Sequence, residues 1–284
     1  MAVALKQLRS QRSYLGKVQA CILDWSGTTA DKYVLAPAVV FCDVFKKHKV
    51  PISMLEARGP MGLRKDLHIK ALTEVDSVRQ RWLDVYGKYP EKADVDRMFE
   101  DFVPMQLACI KQYGALIPGA AEAVNKLRQE YNCKIGMTTG FLRSMVDLLL
   151  EEAKKQGFEP DANVAGDEVV HGARPKPYMV YRNMDLLNVH PIQSVVKVDD
   201  TVSGVGEAIE AGCWGVGVAR YSNYMNVDSL EQAQKLTPEE IETRLAYSRK
   251  LLVHSGAHYV IDSIVELPDV VDDINRRLAN GEKP

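Results

Sequence analysis

The feature that most constrains this chain is an alternation of short apolar runs with helical periodicity. The runs are Val18–Leu23, Lys134–Thr138, Asn163–Ala165, Ser194–Val198 and Trp214–Val218, with His258–Ile261 as a candidate sixth. Strands that alternate with helices in this way form βαβ units, and these close into a parallel sheet covered on both faces. The expected fold is therefore α/β, with a Rossmann-like parallel sheet. The alternation breaks once. Between Asp31 and Gly114 only helical patterns occur: Pro37–Lys49, Ser53–Arg58, Leu63–Leu72, Ser77–Tyr86 and Ala93–Gln112. About 80 residues of helix after the first strand are too many for a crossover and predict a second, smaller unit. The division expected is a tail at 1–17, a core domain at 18–34 and 114–284, and an inserted all-helical cap domain at 35–113. The breaks at Ala36-Pro37 and Gly114 to Gly119 suit its hinges.

Each strand that can be placed ends in a chemically loaded residue. The first runs into Asp24-Trp25-Ser26-Gly27-Thr28-Thr29, so a carboxylate sits at a strand's carboxyl end beside a glycine-opened loop. Open α/β sheets bind ligands at that edge. The second ends Thr138-Thr139-Gly140 and leads into a helix, which places a hydroxyl and free N–H groups at a helix N-terminus, a ready anion site. Arg174-Pro175-Lys176-Pro177 presents two cations in a loop fixed by proline, and the fourth strand ends Val198-Asp199-Asp200-Thr201. Taken singly, each has an ordinary reading: a helix cap, a surface cation, an acidic loop. The combination in this order is much less common.

Composition removes several functions. The chain has 284 residues, 46% hydrophobic, and a net charge of -2. No field attracts it to nucleic acid or to anionic lipid, so neither is an expected partner. No apolar run approaches the roughly 20 residues that cross a bilayer, and a soluble protein is expected. The five cysteines are scattered and never form CxxC, which argues for a reducing compartment and for cysteines serving as small core hydrophobes. Lys6, Arg9, Arg12 and Lys17 make the N-terminal segment basic, but it lacks an apolar signal core. A plain cytosolic tail, and a cytoplasmic protein, are expected ahead of a transit peptide.

In their order, Asp24, Thr139, Arg174 and the Asp199-Asp200 pair resemble the four motifs of the haloacid dehalogenase superfamily. Within it the chain resembles the phosphonoacetaldehyde hydrolase family. That likeness extends to Ala36-Pro37, to Glu56-Ala57-Arg58-Gly59-Pro60-Met61-Gly62-Leu63-Arg64-Lys65, and to His68 and Ala71-Leu72-Thr73. The Pro-Met-Gly-Leu turn followed two residues later by lysine is its most specific part.

The resemblance implies hydrolysis of the carbon–phosphorus bond of a small phosphonate substrate. Attack at phosphorus would expel a carbanion unless the neighbouring aldehyde is first converted to a protonated imine, which accepts the electrons. Lys65 is the implied amine, Asp24 the nucleophile, and His68, three residues on and on the same helical face, a proton shuttle. A carboxylate cannot approach a phosphonate dianion without neutralisation, so Mg²⁺ is implied, held by Asp24, the Ser26 carbonyl and Asp200. Thr28, Thr139, Gly140 and Arg174 would bind the phosphonate, with Lys176 able to share that role, and Met61 and Asp199 would support the site. The family further implies a homodimer.

The sequence departs from the pattern at two places. Ser26 stands where this family has alanine and where phosphatases of the superfamily carry an acid for the leaving alkoxide. Gly204 stands where many relatives carry a further Asp, while Asp199 is added beside Asp200. Two other readings follow: a magnesium-dependent phosphatase of small phosphate esters on the same fold, which the missing acid at Ser26 argues against, and a non-catalytic ligand-binding relative.

Overall fold

A computed structural model describes residues 13–284. Lys6, Arg9 and Arg12 of the basic tail lie outside the described residues. Six parallel strands, β1 (Ala20–Asp24), β2 (Lys134–Thr138), β3 (Ala162–Val164), β4 (Val195–Asp199), β5 (Trp214–Val218) and β6 (Tyr259–Ile261), form one sheet in the order β3-β2-β1-β4-β5-β6. Successive residues of a strand face opposite sides of the sheet, and β1 shows what covers each. Cys21 and Leu23 join the cluster of Leu127, Met145, Val271 and Ile274, whereas Ala20 and Ile22 join Val180, Leu187 and Ala208. Both faces are apolar, so β1 is buried along its whole length, as a central parallel strand requires.

The insertion after β1 is helical: α1 (Leu35–Lys47), α2 (Met54–Arg58), α3 (Lys65–Glu74), α4 (Asp76–Tyr86) and α5 (Lys92–Cys109), closed by a short 3₁₀ turn at Ile110–Tyr113. Helix α2 starts at a full capping box, with Ser53 accepting from the Glu56 N–H and Glu56 accepting from the Ser53 N–H. Phe41, Phe45, Ile69, Leu72, Trp82, Met98 and Phe102 interlock inside this unit. Phe41 and Phe102 stack at 4.7 Å, and each such buried ring contributes about 1.5–3 kcal/mol. The cluster runs on through Ile110 and Ile117 to Trp25 and Leu23, so the apolar interior of the insertion continues into that of the sheet.

The remaining helices cover the sheet. Those from α6 (Ala120–Tyr131) and α7 (Arg143–Lys155) to α8 (Tyr178–Leu187) and α9 (Val202–Ala211) alternate with the strands, and α10 (Leu230–Lys235), α11 (Pro238–His254) and α12 (Leu267–Ala279) follow. All five cysteines are free thiols, and Cys21, Cys133 and Cys213 are buried. No helix among the described residues is long and apolar enough to cross a membrane.

The chain enters the insertion through strained backbone. Asp31, Tyr33 and Val34 have φ of 52°, 66° and 56°, a region that costs a non-glycine residue about 1–3 kcal/mol. The Asp31 carboxylate offsets part of this by accepting from the Leu35 and Ala36 N–H groups at the start of α1.

Candidate active site

The strand order reverses between β1 and β4, because the chain goes from β1 to β2 and β3 on one side and then crosses to β4 on the other. Ligands bind in the crevice at such a point, outside the carboxyl ends of the strands. Asp24 ends β1 and is in register with Thr138 at the end of β2, and Asp199 ends β4. Asp24, Asp199 and Asp200 are all buried and bring carboxylate oxygens within 4.8 Å of one another.

So many buried anions require compensation. Arg174 stands at the centre of it. Its Nη2 lies 2.7 Å from Asp24 Oδ1 and 3.3 Å from Asp199 Oδ2 and donates to Thr138 Oγ1 at 2.6 Å, while its Nε lies 3.1 Å from Glu207 Oε2. Lys197 adds a second cation, 2.7 Å from Asp199 Oδ2 and 3.8 Å from Glu207. Burial lowers the Arg174 pKa, but Asp199, Asp24 and Glu207 outweigh it and hold the guanidinium above its ordinary value. Burial likewise pushes the Asp199 carboxyl up, and Arg174 and Lys197 bring it below the usual range. Asp199 is saturated: its other oxygen accepts from the Thr201 hydroxyl at 2.7 Å and the Thr201 N–H at 3.0 Å.

Asp200 is held differently. Its Oδ2 accepts from the Asn223 N–H at 2.7 Å, but Oδ1 is buried with no partner among the described residues. Burial, then the charges of Asp24 and Asp199, push its carboxyl well above the usual value, and Asp24 is raised by burial and by Asp199. Crowded carboxylates with an orphaned oxygen are the donor set of a divalent cation, whose charge reverses that upward pressure. The site fits a metal ion.

The helical insertion closes the crevice from above. Asp24, Ser26, Val34, Met61, Lys65, Thr139, Gly140, Phe141 and Arg174 line one small cavity of about 20 Å³, room for about one water. The fit between the two units is close. A Cβ on Gly62 would lie 2.7 Å from Thr201 Oγ1, and one on Gly140 2.7 Å from the Leu63 carbonyl oxygen. Lys65 is the first residue of α3 and only 4% exposed, and its Nζ makes no hydrogen bond or ion pair among the described residues. Its Nζ lies 4.5 Å from the centre of the Phe141 ring and 5.9 Å from that of Phe41. Burial pushes its pKa down to about 8; Asp24 opposes this and Arg174 assists it.

His68 sits deeper. It stacks on Phe41 at 3.8 Å, its Nε2 lies 2.8 Å from the Ala57 carbonyl oxygen, and its Nδ1 is buried without a partner among the described residues. Burial, with Lys65 nearby, holds it well below its ordinary pKa. It is therefore neutral, with Nε2 the donor to Ala57 and an open lone pair at Nδ1. It does not line the small cavity.

Residues 18–212 match the family model for haloacid dehalogenase-like hydrolases. The chain is 39% identical over 280 residues, 99% of each chain, to the phosphonoacetaldehyde hydrolase of Nitratidesulfovibrio vulgaris. It is 42% identical over 261 residues to that of Bacillus cytotoxicus, covering 92% of this chain and 98% of the relative. The chain belongs to the phosphonoacetaldehyde hydrolase family. The crystal structure of a phosphonoacetaldehyde hydrolase-like protein from Oleispira antarctica superposes on it with a TM-score of 0.93 at 37% identity, covering 98% of this chain and all of that one.

Against the sequence reading of this family member, the structure brings Asp24, Ser26, Met61, Lys65, Thr139, Gly140 and Arg174 to one cavity, with Asp199 and Asp200 beneath it. Thr28 is fully buried in the loop after β1 and lies outside the cavity lining. Lys176 is corrected. It is exposed and donates to the His171 carbonyl at 2.8 Å, because the Arg174-Pro175-Lys176 turn sends one cation inward and the other to solvent.

The departure at Gly204 has a steric cause. A Cβ there would lie 1.8 Å from Asp199 Cγ, so the added carboxylate at 199 fills the space of any side chain at 204. Sequence reasoning missed Lys197 and Glu207. Lysine inside the apolar strand Val195–Asp199 was the available signal, since a central strand buried on both faces tolerates a cation only with a partner.

Proposed function

We propose that this protein hydrolyses phosphonoacetaldehyde to acetaldehyde and phosphate, the activity named in its curated relatives. One observation carries the reading: a buried lysine without an anionic partner among the described residues shares one small cavity with the strand-end Asp24. An amine with a pKa of about 8 is partly neutral near pH 7, which nucleophilic attack on an aldehyde requires.

Lys65 Nζ adds to the aldehyde carbon, and loss of water leaves a protonated imine. Asp24 then attacks phosphorus. The electrons of the carbon–phosphorus bond pass into the imine, giving an enamine on Lys65 and an acyl phosphate on Asp24. Protonation of the enamine carbon and addition of one water free acetaldehyde and Lys65, and a second water releases phosphate from Asp24. One water is lost and two are consumed, so one is used overall. An enamine leaves without a proton, which agrees with Ser26 where an acid would otherwise stand. His68, neutral and with Nδ1 open, relays protons to and from Lys65.

Asp24, the Ser26 carbonyl and Asp200 would hold Mg²⁺, with Asp199 acting through Arg174 and Lys197 because its own oxygens are already taken. The ion would neutralise charge between carboxylate and phosphonate. Thr28, Thr139, Gly140 and Arg174 would hold the phosphonate oxygens. Residues 35–113 act as a cap on the core at 18–34 and 114–284. A cavity sized for one water requires the cap to open for substrate, and the strained Asp31–Val34 segment is placed to hinge it. A homodimeric, cytoplasmic enzyme completes the reading.

Phosphate release from phosphonoacetaldehyde, measured beside a panel of phosphate esters with and without Mg²⁺, tests it. Magnesium-dependent turnover confined to the phosphonate is expected. Faster turnover of the esters would replace this reading with the phosphatase.

A further inference from the structure

Arg58 belongs to the helical insertion, yet it is buried among elements of the core, only 3% exposed. Its Nη1 donates to the Tyr33 carbonyl at 2.7 Å and to Asn223 Oδ1 at 3.2 Å, and its Nη2 to the Val227 carbonyl. Asn223 answers through Nδ2, which donates to the Arg58 carbonyl at 3.1 Å. The same loop fixes Asp200: the Asn223 N–H holds Oδ2 at 2.7 Å, and the Ser222 hydroxyl holds the Asp200 carbonyl at 2.9 Å. A continuous path thus runs from α2, through one asparagine, to the carboxylate whose Oδ1 has no partner among the described residues.

We propose that Arg58 is a positioning residue that makes the orientation of Asp200 depend on closure of the cap. This rests on the reading of Asp200 as a metal ligand. When α2 withdraws, Asn223 loses both of its partners in the cap, and the loop at 222–227 loses its hydrogen bonds to Arg58 of α2. The backbone N–H that holds Asp200 Oδ2 then rests on a loop tied only from the core side, by Arg244 to the Met225 carbonyl and Ser222 to the Asp200 carbonyl, and it orients the carboxylate less firmly. With α2 seated, Oδ2 is occupied and Oδ1 is left without a partner among the described residues, in the cluster shared with Asp24. The coupling is reciprocal, because a cation that prefers the oriented carboxylate must favour the closed cap by the same factor. The Tyr33 contact extends the path to the strained hinge, so the same guanidinium senses hinge and site together.

The test is Mg²⁺ alone, titrated calorimetrically into the whole protein, with amide hydrogen exchange read at Asn223. Arg58→Lys keeps the charge but cannot reproduce the fork of donors. Mg²⁺ affinity is expected to fall by about tenfold or more, the usual scale for groups that orient a metal ligand. Asn223→Ala should fall similarly, and the double variant no further than the weaker single one. In the unaltered protein Mg²⁺ should slow exchange at Asn223, and in Arg58→Lys it should not. Affinities within twofold of the unaltered protein, or losses that multiply in the double variant, would overturn the proposal; if Arg58→Lys fails to fold, Asn223→Ala decides alone. Neither readout involves phosphonoacetaldehyde, so failure of the proposed activity would leave this result standing.

Discussion

Beneath the cleft, Asp24, Asp199, Asp200 and Glu207 are buried with Arg174 and Lys197 threaded among them. Above it, Lys65 is buried as completely, but its neighbours are two aromatic rings and no anion pairs with it among the described residues. Similar burial has opposite electrical consequences. In the lower network Arg174 and Lys197 hold Asp199 below its ordinary range, while burial and mutual repulsion leave Asp24 and Asp200 raised, a pressure that a bound cation would reverse. Isolation weakens the ammonium above, so that Lys65 can act as an amine. The proposed two-step chemistry needs both conditions at one cavity, and this chain carries one on the sheet and the other on the insertion.

Exchanging the upper strategy for the lower should have the largest effect. Lys65→Arg fills the same pocket with a group that stays protonated. Turnover of phosphonoacetaldehyde should fall by roughly 10⁴-fold or more, as for removal of a covalent catalyst, and phosphate release assays measure it.

Stability separates the two regions by sign. Glu207→Ala strips Arg174 of a buried partner and should cost about 3–5 kcal/mol in urea unfolding. Lys65→Met removes a group whose desolvation is uncompensated and should stabilise the protein at pH 7. The Lys65 pKa is about 8 folded against 10.5 ordinarily, so the folded state binds the proton more weakly. Its penalty is full below pH 8 and disappears as pH rises toward 10.5. The gain from Lys65→Met, on the order of 1–3 kcal/mol at pH 7, should fade across that window. A gain independent of pH would break the comparison.

The smallest effect is a shape. With neutral Lys65 required, single-turnover imine formation should rise with pH and level off above about pH 8. His68, held well below its ordinary pKa, should add no limb near neutrality. A rate flat between pH 6 and 9 would show that the amine is not the titrating group.

Local composition made the sheet legible. Lys134–Thr138 and Trp214–Val218 coincide with β2 and β5, and the other strands are displaced by only a residue or two, because buried parallel strands are short apolar runs between turn residues. The site was legible where function sits at strand ends, as with Asp24 and Asp200. Its inner support was not. Glu207 lies in Val202–Ala211 beside Glu210, where an acid reads as a solvated helix position, and only the fold shows that it faces Arg174. Arg174 and Lys176 differ by two positions in a proline-bound loop, and the turn between them decides which is buried. Nor could spacing separate Asp199 from Asp200; the difference is that Thr201, Lys197 and Arg174 occupy the oxygens of the first, while the second keeps one open.

The most direct test of the central claim is to add borohydride during turnover of phosphonoacetaldehyde and map the modified peptide by mass spectrometry. Irreversible inactivation with a two-carbon adduct on Lys65 is expected, and no inactivation when substrate is left out. Continued phosphate release in borohydride, with the Lys65 peptide unmodified, would contradict it.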